Sequence, residues 1–313
     1  MTLAIIGAGG VGSYFGAKLL SAGHDVSFVA RGEHLRAMQE KGLHVSHPSL
    51  KFASKVDALD MPSLMKRNPS SFDALIVLTK SMETPTIAKQ FLGWFASASS
   101  FPYVLSLQNG VENEAILSDF LPKECVIGGL TRKIGAHVIK PGVVEAVGMA
   151  ETILGAFVEN DKTHLFVQKL CDVLNEANIP TTVTPDIAQE LWKKLIINNG
   201  VNALCALLGV KTGVLMHHPK LSSLVFGLMQ ETAKAARVLH VNISEQDVGE
   251  MFELIKSFDS IKPSMLVDLE YGRALEIEEI CGVVIRILNE AGQDAPYTKT
   301  IAFLLEFNLE EKR

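Results

Sequence analysis

The sequence is poor in cysteine. Its four, Cys125, Cys171, Cys205 and Cys281, are scattered, with no C-x-x-C pair and no metal-ligand spacing. Neither a disulfide framework nor a zinc site is expected, and the four read as small buried hydrophobes of a reducing compartment. Long apolar runs are missing too: nothing approaches the ~18 residues needed to span a bilayer. The N-terminus, MTLAIIGAGGVGSYFG, has no basic leader and turns to glycine too early for a signal peptide. An untargeted cytoplasmic protein is expected. Nor is there an excess of positive charge. A formal net charge of -6 gives no reason to expect nucleic acid or an anionic membrane as partner. Repeats, low-complexity tracts and charge runs are likewise lacking.

What is present suits a chain that buries a large core: 313 residues, 48% apolar and 20% charged, enough for two domains of ordinary size. The first half alternates strand-like and helix-like segments. TLAII (2–6), DVSFVA (25–30), FDALIVLTK (72–80) and YVLSLQNG (103–110) read as strands. Helices are expected over 11–22, 33–42 and near 87–95. Short β-runs alternating with helices imply a parallel sheet covered on both faces. From about Cys125, VIGGLTRKIGAHV, GVVEAVG and ETILGAF read as three strands of an antiparallel extension, followed by a helix over 164–177 and the strand TTVTP. After Pro185 only helices are expected, near 186–208, 218–240, 245–257, 263–271, 276–291 and 297–307. Thr184-Pro185-Asp186 marks the start, with a hydroxyl cap, proline in the first turn and then an acid. The expected architecture is a Rossmann-type α/β dinucleotide-binding domain over 1–185 and an all-α domain over 186–313.

Gly7-Ala8-Gly9-Gly10-Val11-Gly12 fits G-x-G-x-x-G, and it follows an apolar strand and opens a helix. That context is what dinucleotide binding requires. Gly7 permits the tight turn, Gly9 lets backbone approach a pyrophosphate, and Gly12 allows close helix–strand packing. The helix N-terminus then offers amide donors to the phosphates. An ordinary βα turn is the plain alternative. NAD enzymes usually carry an acid at the end of the second strand; here that strand ends in Arg31. An arginine there suits a 2′-phosphate and favours NADP, while a solvated loop arginine is the competing reading. Asp25 lies at the wrong end of the strand and reads as a turn residue.

Ligands of open α/β sheets sit beyond the carboxyl ends of the strands. Two strands end in polar residues there: Thr79-Lys80 and Gln108-Asn109-Gly110. Lys80 suits a contact to the cofactor, and Asn109 a hydrogen bond to substrate or nicotinamide. A surface lysine and a turn dipeptide are the plain alternatives.

LWKKLIINNGVNALCALLGV (191–210) reads as a buried helix that nevertheless keeps Lys194, Asn198 and Asn202. Their spacing of four places them in one polar stripe, with Leu191, Leu195 and Val201 off it. Lys193 reads as the solvated lysine of the pair. Asparagine is a poor helix former, so two in line with a lysine suggest ligand contacts. A lysine screened from water suits proton donation near neutral pH; a solvated stripe is the alternative. Downstream, Ser264 and Asp268 are four apart on one expected helix, and Glu276 opens the next. An acid there also complements the helix dipole.

With these residues the chain resembles the ketopantoate reductase family over its whole length. The matching parts are GAGGVG, Arg31, TK at 79–80, LQNG at 107–110, W-x-K-L-x-x-N-x-x-x-N at 192–202 and S-M-L-x-D…E-I at 264–277. The glycine loop is generic; the lysine–asparagine helix with the later serine and glutamate is specific. The resemblance implies NADPH-dependent reduction of 2-dehydropantoate to pantoate, in pantothenate synthesis. It implies Lys194 as general acid, with Glu276 holding that lysine and the substrate. Asn109, Asn198 and Asn202 would position substrate, and Ser264 would bind its carboxylate. Gly7, Gly9, Gly10, Gly12, Arg31, Lys80 and Asn109 would serve the cofactor. Three departures stand out: Ala203-Leu204-Cys205-Ala206 where many relatives have P-L-T-A, Cys281 where many have asparagine, and a segment VVEAVGMAE that lacks the histidine often found there in relatives. Reduction of another branched 2-oxo acid, and a non-catalytic NADP(H) sensor, are the competing functions. The expected partner is a small 2-oxo acid. A homodimer through the helical half is left open, since no heptad or clear apolar stripe marks one.

Overall fold

The structure of the chain, a computed structural model, describes residues 1–96, 98–158, 160–257 and 261–311. The chain divides into two compact units: Met1–Gln108 with Glu112–Ile187, and Asn109–Val111 with the chain from Ala188 onward. The first unit opens with β1 (Thr2–Ile6), α1 (Gly10–Ser21), β2 (Asp25–Val29) and α2 (Gly32–Lys41). It continues through β3 (Leu43–His47), β4 (Leu50–Ser54), β5 (Asp57–Leu59), α3 (Met61–Leu64), β6 (Ala74–Val77), α4 (Thr84–Phe95), β7 (Tyr103–Ser106) and α5 (Asn113–Ser118). The long strands β8 (Val126–Lys140) and β9 (Val143–Ala156), then α6 (Asp161–Glu176) and β10 (Thr181–Val183), complete it.

Among the described residues, the ten strands form one sheet in the order β4-β3-β9-β8-β7-β6-β1-β2-β5, with β10 beside β9. From β5 through β8 the pairings are parallel. β1 shows why these strands read as apolar runs rather than alternating ones. Leu3 and Ile5 enter a core with Phe15 and Phe28, whereas Ala4 and Ile6 enter a second core with Phe91, Trp94 and Phe95 of α4. A strand covered on both faces has no solvent side to keep polar. Each of these large side chains contributes roughly 1.5–3 kcal/mol by leaving water.

Two details differ from the sequence expectation. GVVEAVG and ETILGAF are parts of one strand, β9, not two. Gly148, between them, takes φ +84°, and a Cβ there would lie 2.2 Å from the Lys133 carbonyl oxygen. It marks a bulge in the β8–β9 ladder, where register slips between Arg132 and Ile134, rather than a strand end. The sheet also gains β3, β4 and β5 from a stretch with no clear strand pattern. In β4, Leu50 and Phe52 are half-buried against the core while Lys51 and Ala53 are exposed, an alternation too short to stand out in the sequence.

Among the described residues, the regular elements of the second unit are all helices: α7 (Ile187–Leu208), α8 (Thr212–His217), α9 (Pro219–Val238), α10 (Glu245–Ser257), α11 (Ser264–Glu270), α12 (Val283–Glu290) and α13 (Pro296–Glu310). A π-helical turn, Glu278–Gly282, runs into α12 where an unbroken α-helix was expected from 276. α7 is apolar nearly all round and lies in the core, with Leu195, Ile196, Val201, Leu204 and Cys205 buried. Glu231 of α9 is buried as well. Its carboxylate accepts from the backbone N–H of Tyr297 at 2.9 Å and of Thr298 at 2.8 Å. It thereby satisfies donors that the start of α13 leaves without an intrahelical acceptor.

Cys171, Cys205 and Cys281 are buried, while Cys125 is only half-buried; all four are free thiols. Burial pushes the thiols of Cys205 and Cys281 up to about 12 and that of Cys125 to about 11, which leaves them protonated and inert near neutral pH. Among the described residues, no helix is long and apolar enough to cross a membrane, and no group of His, Cys, Asp and Glu could hold a metal ion.

Candidate functional site

The glycine loop joins β1 to α1, and its four glycines answer different demands. Gly7 takes φ +97°, and a Cβ there would meet Thr79 at 2.7 Å. Gly10 lies under β8, so that a Cβ would fall 2.0 Å from the Ala136 carbonyl oxygen. Gly12 would collide with the Gly7 carbonyl oxygen at 2.3 Å, which is the close helix–strand packing the motif requires. Gly9 is different: it is exposed, and nothing lies within 4 Å of where its Cβ would be. The fold itself would tolerate a side chain at Gly9. Its lack of one fits a ligand that approaches the backbone closely. Ser13 braces the turn by donating from its hydroxyl to the Ala8 carbonyl at 3.0 Å.

Arg31 follows β2 and precedes α2. Its guanidinium reaches Glu83 at 3.5 Å, with side-chain exposures of 80% and 34%. Lys80 is half-buried beyond the end of β6 and caps the 3-10 turn Ser81–Glu83. The strands bearing Arg31 and Lys80 flank β1 in the sheet. Gln108, buried after β7, holds the 79–80 turn in place. Its amide Nε2 donates to the Thr84 hydroxyl at 2.9 Å and lies 3.2 Å from the Thr79 carbonyl. The sequence marked Gln108 only as a polar strand end; its role is to fix Thr79-Lys80 relative to Gln108 itself.

In the second unit, Lys194, Asn198 and Asn202 share one face of α7, as their spacing requires. Lys194 and Asn198 are half-buried and Asn202 is buried. The Asn202 amide nitrogen has no hydrogen-bond partner among the described residues. A buried donor left in that condition costs about 1–3 kcal/mol, which a ligand oxygen would recover. Lys193 is not the solvated lysine expected of it. It is 22% exposed and pairs with Asp247 at 3.0 Å and with Glu190 at 3.8 Å. The Ser244 hydroxyl and backbone N–H, with Lys193, hold the Asp247 carboxyl down at about 2. This pair fixes the rotation of α7 beside Lys194. On another side of the helix Asn199 is fully buried and donates to the hydroxyls of Thr232 at 2.8 Å and Thr298 at 3.2 Å. The sequence passed over Asn199, because an asparagine next to an asparagine stripe looks like part of it.

Asn109, which belongs to the second unit, donates from Nδ2 to Oε2 of Glu276 at 3.0 Å. Glu276 is 4% exposed and precedes the π-helical turn, a distortion that frequently accompanies functional sites. Ser264 is the first residue of α11 and is exposed. Asp268 is buried on the same helix, 3.5 Å from the Arg273 guanidinium, which also lies 4.7 Å over the Tyr271 ring. These contacts order the loop that leads to Glu276. The set can offer one cation, three amide side chains, a hydroxyl and a buried carboxylate to a small anionic ligand. The open backbone at Gly9 and a cation where NAD enzymes place an acid fit a phosphorylated dinucleotide at the first unit.

Comparison with known proteins follows this division of labour. The family model for ketopantoate reductase PanE/ApbA matches residues 3–159, and the model of its C-terminal domain matches 186–308. A 2-dehydropantoate 2-reductase of Pyrococcus abyssi is 32% identical, over 95% of this chain and 94% of that relative. Among solved structures, a 2-dehydropantoate 2-reductase of Geobacter metallireducens superimposes with a TM-score of 0.86 at 28% identity, covering 98% of this chain and 100% of the other. A D-mandelate dehydrogenase holding NADH and anilino(oxo)acetate gives a TM-score of 0.89 at 27% identity, covering 99% of each chain.

Proposed function

The chain belongs to the ketopantoate reductase PanE/ApbA family of oxidoreductases, and from that premise we propose that it reduces 2-dehydropantoate to pantoate with NADPH. The observation that carries the reading is the Lys194, Asn198 and Asn202 stripe on α7, in the same unit as the Asn109–Glu276 hydrogen bond. NADPH, when bound, supplies the hydride that reduces the oxo carbon. Residues of the first unit hold it: the glycine-loop backbone at Gly7, Gly9, Gly10 and Gly12, with Arg31 at the 2′-phosphate and Lys80 beyond β6.

Reduction of a 2-oxo acid leaves an oxyanion that needs a proton. Lys194 gives that proton as the carbonyl carbon changes hybridisation, a contribution of about 10²–10⁴-fold in rate. Glu276 is the counter-charge that holds the ammonium and the developing hydroxyl. Its own burial is made tolerable in part by the Asn109 amide. Asn198 and Asn202 carry donors that orient the substrate, and the Ser264 hydroxyl binds its carboxylate. Asn109 also serves the carboxamide side of the cofactor.

The likeness to D-mandelate dehydrogenase favours a second reading: a related 2-oxo acid as substrate, with the same residues in the same roles. Coenzyme oxidation with 2-dehydropantoate, beside 2-oxo acids bearing branched and aromatic groups, separates the two. The first reading requires the highest kcat/KM on 2-dehydropantoate.

A further inference from the structure

The reading of Arg31 as the phosphate-binding residue leaves its partner unexplained. Glu83 ends the 3-10 turn that leads into α4, where its charge is free to complement the helix dipole. Its side chain makes no capping hydrogen bond. Both carboxylate oxygens instead face Arg31, with Nη1 at 3.5 Å from each and Nη2 at 3.5 Å from Oε1. The two residues follow β2 and β6, the strands on either side of β1, whose end leads into the glycine loop. An anion therefore already stands beside the cation that a 2′-phosphate would need.

We propose that Glu83 sets the coenzyme preference of this protein, and that it does so by tolerating NADH. The proposal rests on the dinucleotide reading above. With NADPH, the 2′-phosphate must share Arg31 with a carboxylate, and two anions on one guanidinium repel. With NADH, the free ribose 2′-hydroxyl finds in Glu83 the acceptor that NAD enzymes supply from the end of their second strand. The pair thus offers Arg31 to one coenzyme and Glu83 to the other, and the chain takes both.

The test is to titrate wild type, Glu83→Gln and Arg31→Ala with NADPH and with NADH, following coenzyme fluorescence, with thermal melts to confirm folding. Both side chains are at the surface, and glutamine keeps the shape of Glu83. Removing the charge is expected to tighten NADPH roughly tenfold and to leave NADH equal or weaker, so the NADPH-to-NADH preference rises about tenfold or more. Arg31→Ala is expected to weaken NADPH and spare NADH. If Glu83→Gln leaves the preference within about twofold while Arg31→Ala lowers NADPH affinity, Glu83 has no part in selection and the Arg31 reading stands. If Arg31→Ala leaves both coenzymes unchanged, the Arg31 reading falls and the proposal falls with it.

Discussion

Asn109 and Glu276 lie 167 residues apart in sequence, yet the Asn109 amide donates to the Glu276 carboxylate at 3.0 Å. A charge-assisted bond of this kind contributes about 1.5–3 kcal/mol. It ties the loop after β7 to the residue preceding the π-helical turn. In a double-mutant cycle, Asn109→Ala and Glu276→Gln should each lower kcat/KM, and the double variant should lose less than the product of the two effects. Independent losses would show that the bond is incidental to turnover.

Lys194 is assigned the proton. Lys194→Ala should lower kcat by about 10²–10⁴-fold and leave NADPH affinity within about twofold, since the glycine loop, Arg31 and Lys80 belong to the other unit. A matched fall in coenzyme binding would move Lys194 from chemistry to cofactor recognition.

Gly7 and Gly9 should separate folding from binding. Gly7→Ala places a Cβ at 2.7 Å from Thr79 on a residue with φ +97°, and should cost about 1–3 kcal/mol of stability. Gly9→Ala meets nothing within 4 Å. Its melting temperature should match wild type while NADPH affinity falls, because the backbone can no longer be approached closely. Unchanged affinity would mean that the loop is an ordinary turn.

Asp247 provides a pH signature. Its carboxyl is held at about 2, against an ordinary 3.8, chiefly by Ser244, with Lys193 adding to the effect. A depressed pKa means that the folded state favours the ionised form. The stabilisation is therefore complete above about pH 4 and is lost as pH falls towards 2. Denaturant titrations across that window should show Asp247→Asn less stable than wild type at pH 5, with the gap closing by pH 2. A gap independent of pH would remove the ion pair from the account.

Much of this was readable in the residues because two kinds of signal are local. A glycine loop between an apolar strand and a helix, and a polar stripe at intervals of four, are set by the backbone geometry of one element. The same reasoning failed at Lys193 and Asn199. One is held by Asp247 from a helix more than 50 positions away, the other by Thr232 and Thr298; sequence spacing on α7 carries no trace of either partner. β9 was split in two because Gly148 reads as a stop, whereas its bulge is imposed by the Lys133 carbonyl across the ladder. Glu83 drew no notice either, since its partner Arg31 lies 52 residues earlier.

The central proposal is that this chain oxidises NADPH with a 2-oxo acid and that Lys194 supplies the proton. The most direct test is the steady-state oxidation of NADPH by wild-type protein with 2-dehydropantoate, run beside Lys194→Ala. Rapid oxidation by the wild type, dependent on the oxo acid and lost in the variant while coenzyme still binds, is the predicted result. Coenzyme binding with no oxidation on any 2-oxo acid offered would contradict the account and leave a nucleotide-binding protein without this chemistry.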